Sequence, residues 1–320
     1  MMATMVCYAQ NTLVATLTHG ENITMYYGVN ALRDAYNAAV SGDVINLSGG
    51  SFNSVEIRKA VTLRGTGIDA KDPTYIINGF NINVPEEDSG RFSMEGIRCT
   101  GGVTLIGTFA NPYFLKCEFT DFMFGASSGY AIVTNAMFVN CKFTVQCCSD
   151  NNYGLDKCTK QFVNCYINYI RTRESAAASF ANCIIGNAYA CNSLFVNSIL
   201  YTVNRPSDIM QSSSVANNCV AVNYNNFFSG TQVGNDCSSA GFAEVFKTFT
   251  GTYSDAESFE LTDAAKTQFL GIDGTEVGLY GGMMPYTSTP SYPQITKMNV
   301  ASKTTADGKL SVEIEVNAVQ

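Results

Sequence analysis

From residue 43 onward the chain reads as short apolar runs broken by glycine and asparagine. In residues 43–47, Val44, Ile45 and Leu47 sit beside polar neighbours and stop at Gly49-Gly50. Val55-Glu56-Ile57, Val61-Thr62-Leu63 and Tyr75-Ile76-Ile77 repeat the design. β-branched runs of this length, bounded by turn residues, predict strands. Residues 30–40 differ: Leu32, Ala35, Tyr36 and Ala39 recur at helical spacing on one face. Asn30 is the expected N-cap and Gly42 the expected stop. Such a helix would cover the open first coil of a solenoid, whose edge otherwise invites association.

An internal repeat decides the architecture. Phe92-Ser93-Met94-Glu95-Gly96-Ile97 is followed by Phe114-Leu115-Lys116-Cys117-Glu118-Phe119 and Phe138-Val139-Asn140-Cys141-Lys142-Phe143. Next come Phe162-Val163-Asn164-Cys165-Tyr166-Ile167, Phe180-Ala181-Asn182-Cys183-Ile184-Ile185 and Phe195-Val196-Asn197-Ser198-Ile199-Leu200. A degenerate copy starts at Val215 and contains Cys219; the steps between first positions are 22, 24, 24, 18, 15 and 20. The pattern F-x-N-C-x-I predicts a strand, a one-residue corner and a second strand. Phenylalanine and cysteine point inward, and asparagine turns the chain because it tolerates the left-handed conformation. Equivalent positions on stacked coils lie about 4.8 Å apart. Phe114, Phe138, Phe162, Phe180 and Phe195 should form one column, and Cys117, Cys141, Cys165, Cys183 and Cys219 another. Asn140, Asn164, Asn182 and Asn197 should form a third, exchanging amide hydrogen bonds. The fold class expected is all-β, a right-handed parallel β-helix with an N-terminal helical cap and a C-terminal β-hairpin segment.

The unequal steps mean fixed corners and elastic loops, so insertions at 144–160 and 171–179 should project from the surface. Residues 1–10 read as the remnant of a signal peptide, with Cys7-Tyr8-Ala9 as a cleavage site. Residues 11–42 hold a strand and the capping helix, 43–284 the β-helix, and 285–320 a proline-rich linker and hairpin. Thr262 is the expected N-cap of a short helix within 255–270. The hairpin, marginal by itself, should dock on the solenoid or join a partner sheet.

Composition narrows the function. Charged residues make up 14% of the chain and the net charge is −8, which leaves no basic surface for nucleic acid. No run of 18 apolar residues exists to span a membrane. The leader and the weakly charged polar surface point to an extracellular or cell-surface protein. Nothing in the sequence sets an oligomeric state.

The stretch from Asp43-Val44-Ile45-Asn46-Leu47 to Val61-Thr62-Leu63-Arg64-Gly65 resembles the opening coils of pectate-lyase-like right-handed β-helix proteins, and the F-x-N-C-x-I repeats resemble their middle coils. The segment from Phe259-Glu260-Leu261-Thr262 to Leu279-Tyr280-Gly281-Gly282 is similar to the closing segment of secreted β-helix proteins of gut Bacteroidetes. This resemblance covers roughly residues 30–320 and is specific for architecture. It implies a polysaccharide lyase as the enzymatic alternative, with a Ca²⁺ held by carboxylates and an arginine or lysine base. On that reading Asp150 and Asp156 would be the Ca²⁺ ligands, and Arg171, Arg173 and Lys157 the candidate bases. A polygalacturonase-like pair of aspartates with Gly-His-Gly is missing from the sequence.

The repeat cysteines are expected to be free and buried, since parallel Cβ vectors suit a disulfide poorly. A bridge from Cys158 to Cys147 or Cys148 is expected in the insertion; a zinc site is the rival, with the lone His19 far off in sequence. Tyr153, Tyr169 and Glu174 are the candidate ligand-binding residues, with Tyr166, Tyr189 and Tyr201 as further aromatic faces for a sugar. The function expected is therefore glycan binding or adhesion to a surface polysaccharide. The alternatives are lyase activity on uronate-containing glycans and a purely structural spacer.

Overall fold

The computed structural model describes residues 13–85, 88, 90–125, 131–148, 158–172, 178–190, 192–203, 214–223, 232–233, 236–300, 303–305 and 307–317. A parallel β-solenoid of about 7 turns forms, as the repeat predicts. Its first sheet runs in rung order from Val44–Leu47 to Gln232–Val233, and its second from Gly50–Asn53 to Ser238–Ala240. A third face is patchier, pairing Gly107–Ala110 with Ala131–Thr134 and Ile170–Thr172 with Ala188–Ala190.

The phenylalanine column is present. Phe114, Phe138, Phe162, Phe180 and Phe195 are in register on successive rungs of the first sheet. Their rings stack with centroids 4.8, 4.9, 5.0 and 4.8 Å apart and are nearly parallel. Burial and ring contact both stabilise the stack, the second by about 0.5–1.5 kcal/mol per pair. Two register assignments differ from the sequence expectation. Met94, not Phe92, lies on the rung beside Phe114, and Ala216, not Val215, lies beside Phe195. The corners dictate both shifts, because Gly96 and Asn218 carry the positive φ of the turn.

That turn recurs on every middle coil. Lys116, Asn140, Asn164, Asn182, Asn197 and Asn218 have φ between 48° and 54°. The residue after each of these corners, cysteine at all but Ser198, points inward. Cys117, Cys141, Cys165 and Cys183 are fully buried free thiols. Each thiol donates to the carbonyl of the phenylalanine-column residue one coil earlier: Met94, Phe114, Phe138 and Phe162, all at 3.4 Å. Burial pushes the Cys141 and Cys183 thiols up, which keeps them protonated donors. Cys147, Cys148 and Cys158 are also buried free thiols, not the expected bridge. Cys158 instead donates to Ala131 O at 3.2 Å on the third face.

The N-terminal cap is a helix, Ala31–Ala38, packed on a hairpin of Val14–His19 and Asn22–Tyr27. Asn30 makes no side-chain cap bond. Lys59 closes the other end, its Nζ donating to the carbonyls of Tyr36, Asn37 and Ala39. The strand Val14–His19 then joins the first sheet antiparallel to Val44–Leu47.

After Ala240 the chain turns back along the solenoid. Helices Phe242–Val245 and Asp263–Gln268 belong to a cover whose apolar residues, among them Val245, Phe246, Phe249 and Phe259, bury the outer face of the second sheet. Thr262 caps the second helix as expected, its hydroxyl accepting from Ala265 N–H at 3.1 Å. Residues 270–291 continue as a strap down the row of corners. Asn218 Nδ2 donates to Leu270 O, and Ile272 N–H to Asn197 Oδ1. Asn164 Nδ2 donates to Leu279 O at 2.7 Å and Gly281 O at 2.8 Å. Asn140 Nδ2 reaches Pro285 O, and Lys116 Nζ reaches Thr289 O at 2.6 Å. These bonds to the strap replace the amide exchange expected for the corner asparagines; exchange occurs at another corner, from Asn135 to Asn111. Gly281 is required where the strap crosses Asn182, because a Cβ there would sit 1.6 Å from Glu276 O.

The strands Gln294–Val300 and Val312–Asn317 form the expected hairpin as a separate two-stranded sheet, with Val312, Ile314 and Val316 exposed. Among the described residues, no helix is long and apolar enough to cross a membrane.

Phe162→Ala should cost about 3–5 kcal/mol in urea unfolding, because the neighbouring rings cannot close the gap. Asn164→Gly keeps the corner conformation but removes both bonds to the strap. It should cost about 1–3 kcal/mol and speed proteolysis within residues 270–291.

Candidate functional site

The residue after each inward residue that follows a corner points outward, and these residues form a column on the second sheet. In rung order they are Tyr75, Arg98, Glu118, Lys142, Tyr166, Ile184, Ile199 and Val220. The column is apolar in its C-terminal half, and there the cover lies on it. Tyr166 stacks on Phe259 at 4.4 Å, and its hydroxyl meets that of Tyr201 at 2.9 Å. Tyr166 and Tyr201 are thus buried and are not the sugar-facing rings expected from their spacing.

Where the cover meets the last coils a groove of about 950 Å³ remains open. One wall is the end of the solenoid: Asn217, Asn218 and Val220 on one coil, Asp236, Cys237 and Ser238 on the next. The other wall is the start of the strap, from Gln268 to Gly274, with Leu270 and Ile272 exposed. Asp236 occupies the corner position, with φ 53°, and is exposed. Cys237 is half-buried, and a hydrogen bond with the Cys219 thiol lowers its pKa to about 7. Amides, a carboxylate and a hydroxyl thus converge beside two aliphatic side chains. The volume falls within the range of small-molecule sites.

The N-terminal half of the column is charged. Arg98 Nε donates to Ile68 O at 2.6 Å. Its guanidinium lies 3.3 Å from Asp69, 3.5 Å from Asp255 and 3.6 Å from Glu118. Lys142 Nζ lies 3.8 Å from Asp69 and 5.7 Å from the centre of the Tyr286 ring. Burial raises the Glu118 pKa, and the nearby Arg98 and Lys142 offset only part of the rise. Its Oε2 is buried without a hydrogen bond. This network ties the cover, through Asp255, to the early coils. Its carboxylates are each matched to a cation, so it acts first as an anchor.

The sequence-predicted site falls elsewhere. Asp150, Tyr153, Asp156, Lys157, Arg173 and Glu174 lie outside the described residues. Arg171 is exposed on the third face, in register with Tyr189. Tyr169 is half-buried, and its carbonyl accepts from Cys147 N–H at 2.8 Å. Cys147 pairs with Ile170, so the strands Lys142–Cys147 and Ile170–Thr172 lie on neighbouring rungs. No group of three or more His, Cys, Asp or Glu side chains suited to a metal occurs among the described residues. The charged strip had a signal, since Glu118 and Lys142 occupy outward repeat positions. The groove had none, because its second wall arrives from 50 residues further along the chain.

The raised Glu118 pKa has a pH signature. The folded state binds this proton more tightly, so the contribution is present below the ordinary glutamate value of 4.5 and is lost as pH rises through the folded pKa. The melting temperature of Glu118→Gln relative to wild type should therefore climb as pH rises from 4.5, when measured by calorimetry. Comparison with family models, with curated proteins and with solved structures found no match for this chain.

Proposed function

We propose that this is a secreted or cell-surface β-helix protein, of the pectate-lyase-like kind found in gut Bacteroidetes, that binds a glycan in the groove at the end of its solenoid. One observation carries the reading: Asn217, Asn218, Asp236, Ser238 and Gln268 converge on an open groove beside Leu270 and Ile272. Neutral sugars present hydroxyl groups on their rims and C–H groups on their faces. Amide and carboxylate side chains match the first, and exposed aliphatic side chains match the second. The rigid coil holds the Asn217 and Asp236 segments at fixed rung spacing, which limits the ordering cost of binding. Export is supported by the apolar residues 1–10, read as a signal-peptide remnant, and by the low share of charged residues in the chain.

A glycan array probed with the full chain tests this directly. Wild type should bind a defined subset of polysaccharides. Ser238→Ala and Gln268→Ala together should weaken that binding about tenfold, because each lost hydrogen bond is worth about 0.5–1.5 kcal/mol. The same glycans, incubated and followed by ultraviolet absorbance of unsaturated uronates, report lyase turnover. Silence across neutral and uronate-containing glycans removes both readings and leaves the spacer.

A further inference from the structure

The first sheet ends at its N-terminal side in the strand Asn22–Tyr27, which pairs with Val14–His19 and, among the described residues, with no further strand. Its backbone parity is set by the bond from Gly28 N–H to Leu13 O. Antiparallel residues alternate between hydrogen-bonded and non-bonded pairs. Tyr26, Thr24 and Asn22 therefore turn their backbone groups toward Val14–His19. Ile23, Met25 and Tyr27 turn theirs to the free edge. The same three residues carry exposed apolar side chains, at 68%, 55% and 61% exposure. Edge strands are ordinarily protected by charge or proline, and residues 22–27 contain neither.

The strand is also self-complementary. A two-fold axis through Met25 places Met25 opposite Met25 of a second copy and Ile23 opposite Tyr27 in both directions. All these pairs lie on one face, and all are of the hydrogen-bonding class. Asn22 and Thr24 fall opposite Gly28 and Tyr26. Glu21 falls opposite Val29, itself exposed, so no like charges meet. From this pairing we infer that a second copy of the chain docks on Asn22–Tyr27, joining two solenoids head to head through a continuous antiparallel sheet. The occupant is a second copy because this register satisfies every free backbone group of Ile23, Met25 and Tyr27 while covering each exposed side chain with an apolar one.

Sedimentation equilibrium of the full chain should return twice the monomer mass of 34.5 kDa. Met25→Lys brings two ammonium groups together on the axis and should shift the protein to monomer. Met25→Pro should do the same by removing an N–H that faces the open edge of the strand. Leu194→Lys, an exposed position on a middle coil, should leave the dimer intact. Circular dichroism should be that of wild type in each variant, and Met25→Leu should restore the dimer. A wild-type chain of single mass up to its solubility limit overturns the inference, whether or not the strand then captures some other peptide. So does a dimer that survives both Met25→Lys and Met25→Pro.

Discussion

Everything in this molecule hangs on one turn. Between the first and second sheets the chain must change direction within a single residue, and the left-handed backbone conformation is how it does so. Most side chains resist that conformation by about 1 kcal/mol or more, whereas asparagine tolerates it. With the corner set at φ near 50° on coil after coil, the residues before and after it are committed. Phenylalanine falls over phenylalanine, and each thiol meets a carbonyl of the coil before. The asparagine amide, directed outward by the same geometry, is left to bind the strap. One residue type thus fixes the shape of the coil and supplies the fastening for the segment that seals it.

Much of this was legible from residue spacing because a repeat exposes its own register. The phenylalanine and cysteine columns follow from inward positions that recur on both sides of a turn residue. The errors came where identity was weighed above geometry. Phe92 matches the repeat by name, yet Gly96 marks the corner and places Met94 in the column. The cover was less legible, though it left a trace. Tyr166, Ile184, Ile199 and Val220 are apolar at an outward position, and an apolar outer face four rungs long must be buried by something. What buries it, residues 242–279, shows no repeat of its own. Docking of that kind depends on surfaces brought together by the finished fold, and local pattern carries no sign of them.

The regular part of the solenoid offers little chemistry, since its repeated side chains satisfy one another. Chemical variety gathers where the regularity ends. The groove opens where the cover departs from the last coils, the ion network forms where it reaches the early ones, and the edge strand of the first sheet lies at the N-terminal end. A scaffold of this type separates its features in space: the middle coils supply stiffness, and the less regular chemistry lies at the ends and seams.

Thiol labelling with site-resolved mass spectrometry, carried out across a denaturant series, tests the columnar core most directly. Cys117, Cys141, Cys165 and Cys183 should resist alkylation together and become reactive in one shared transition, as members of a single closed stack. If any of the four labels readily in native buffer while the others stay protected, those residues do not share a core, and the coil-by-coil account is wrong.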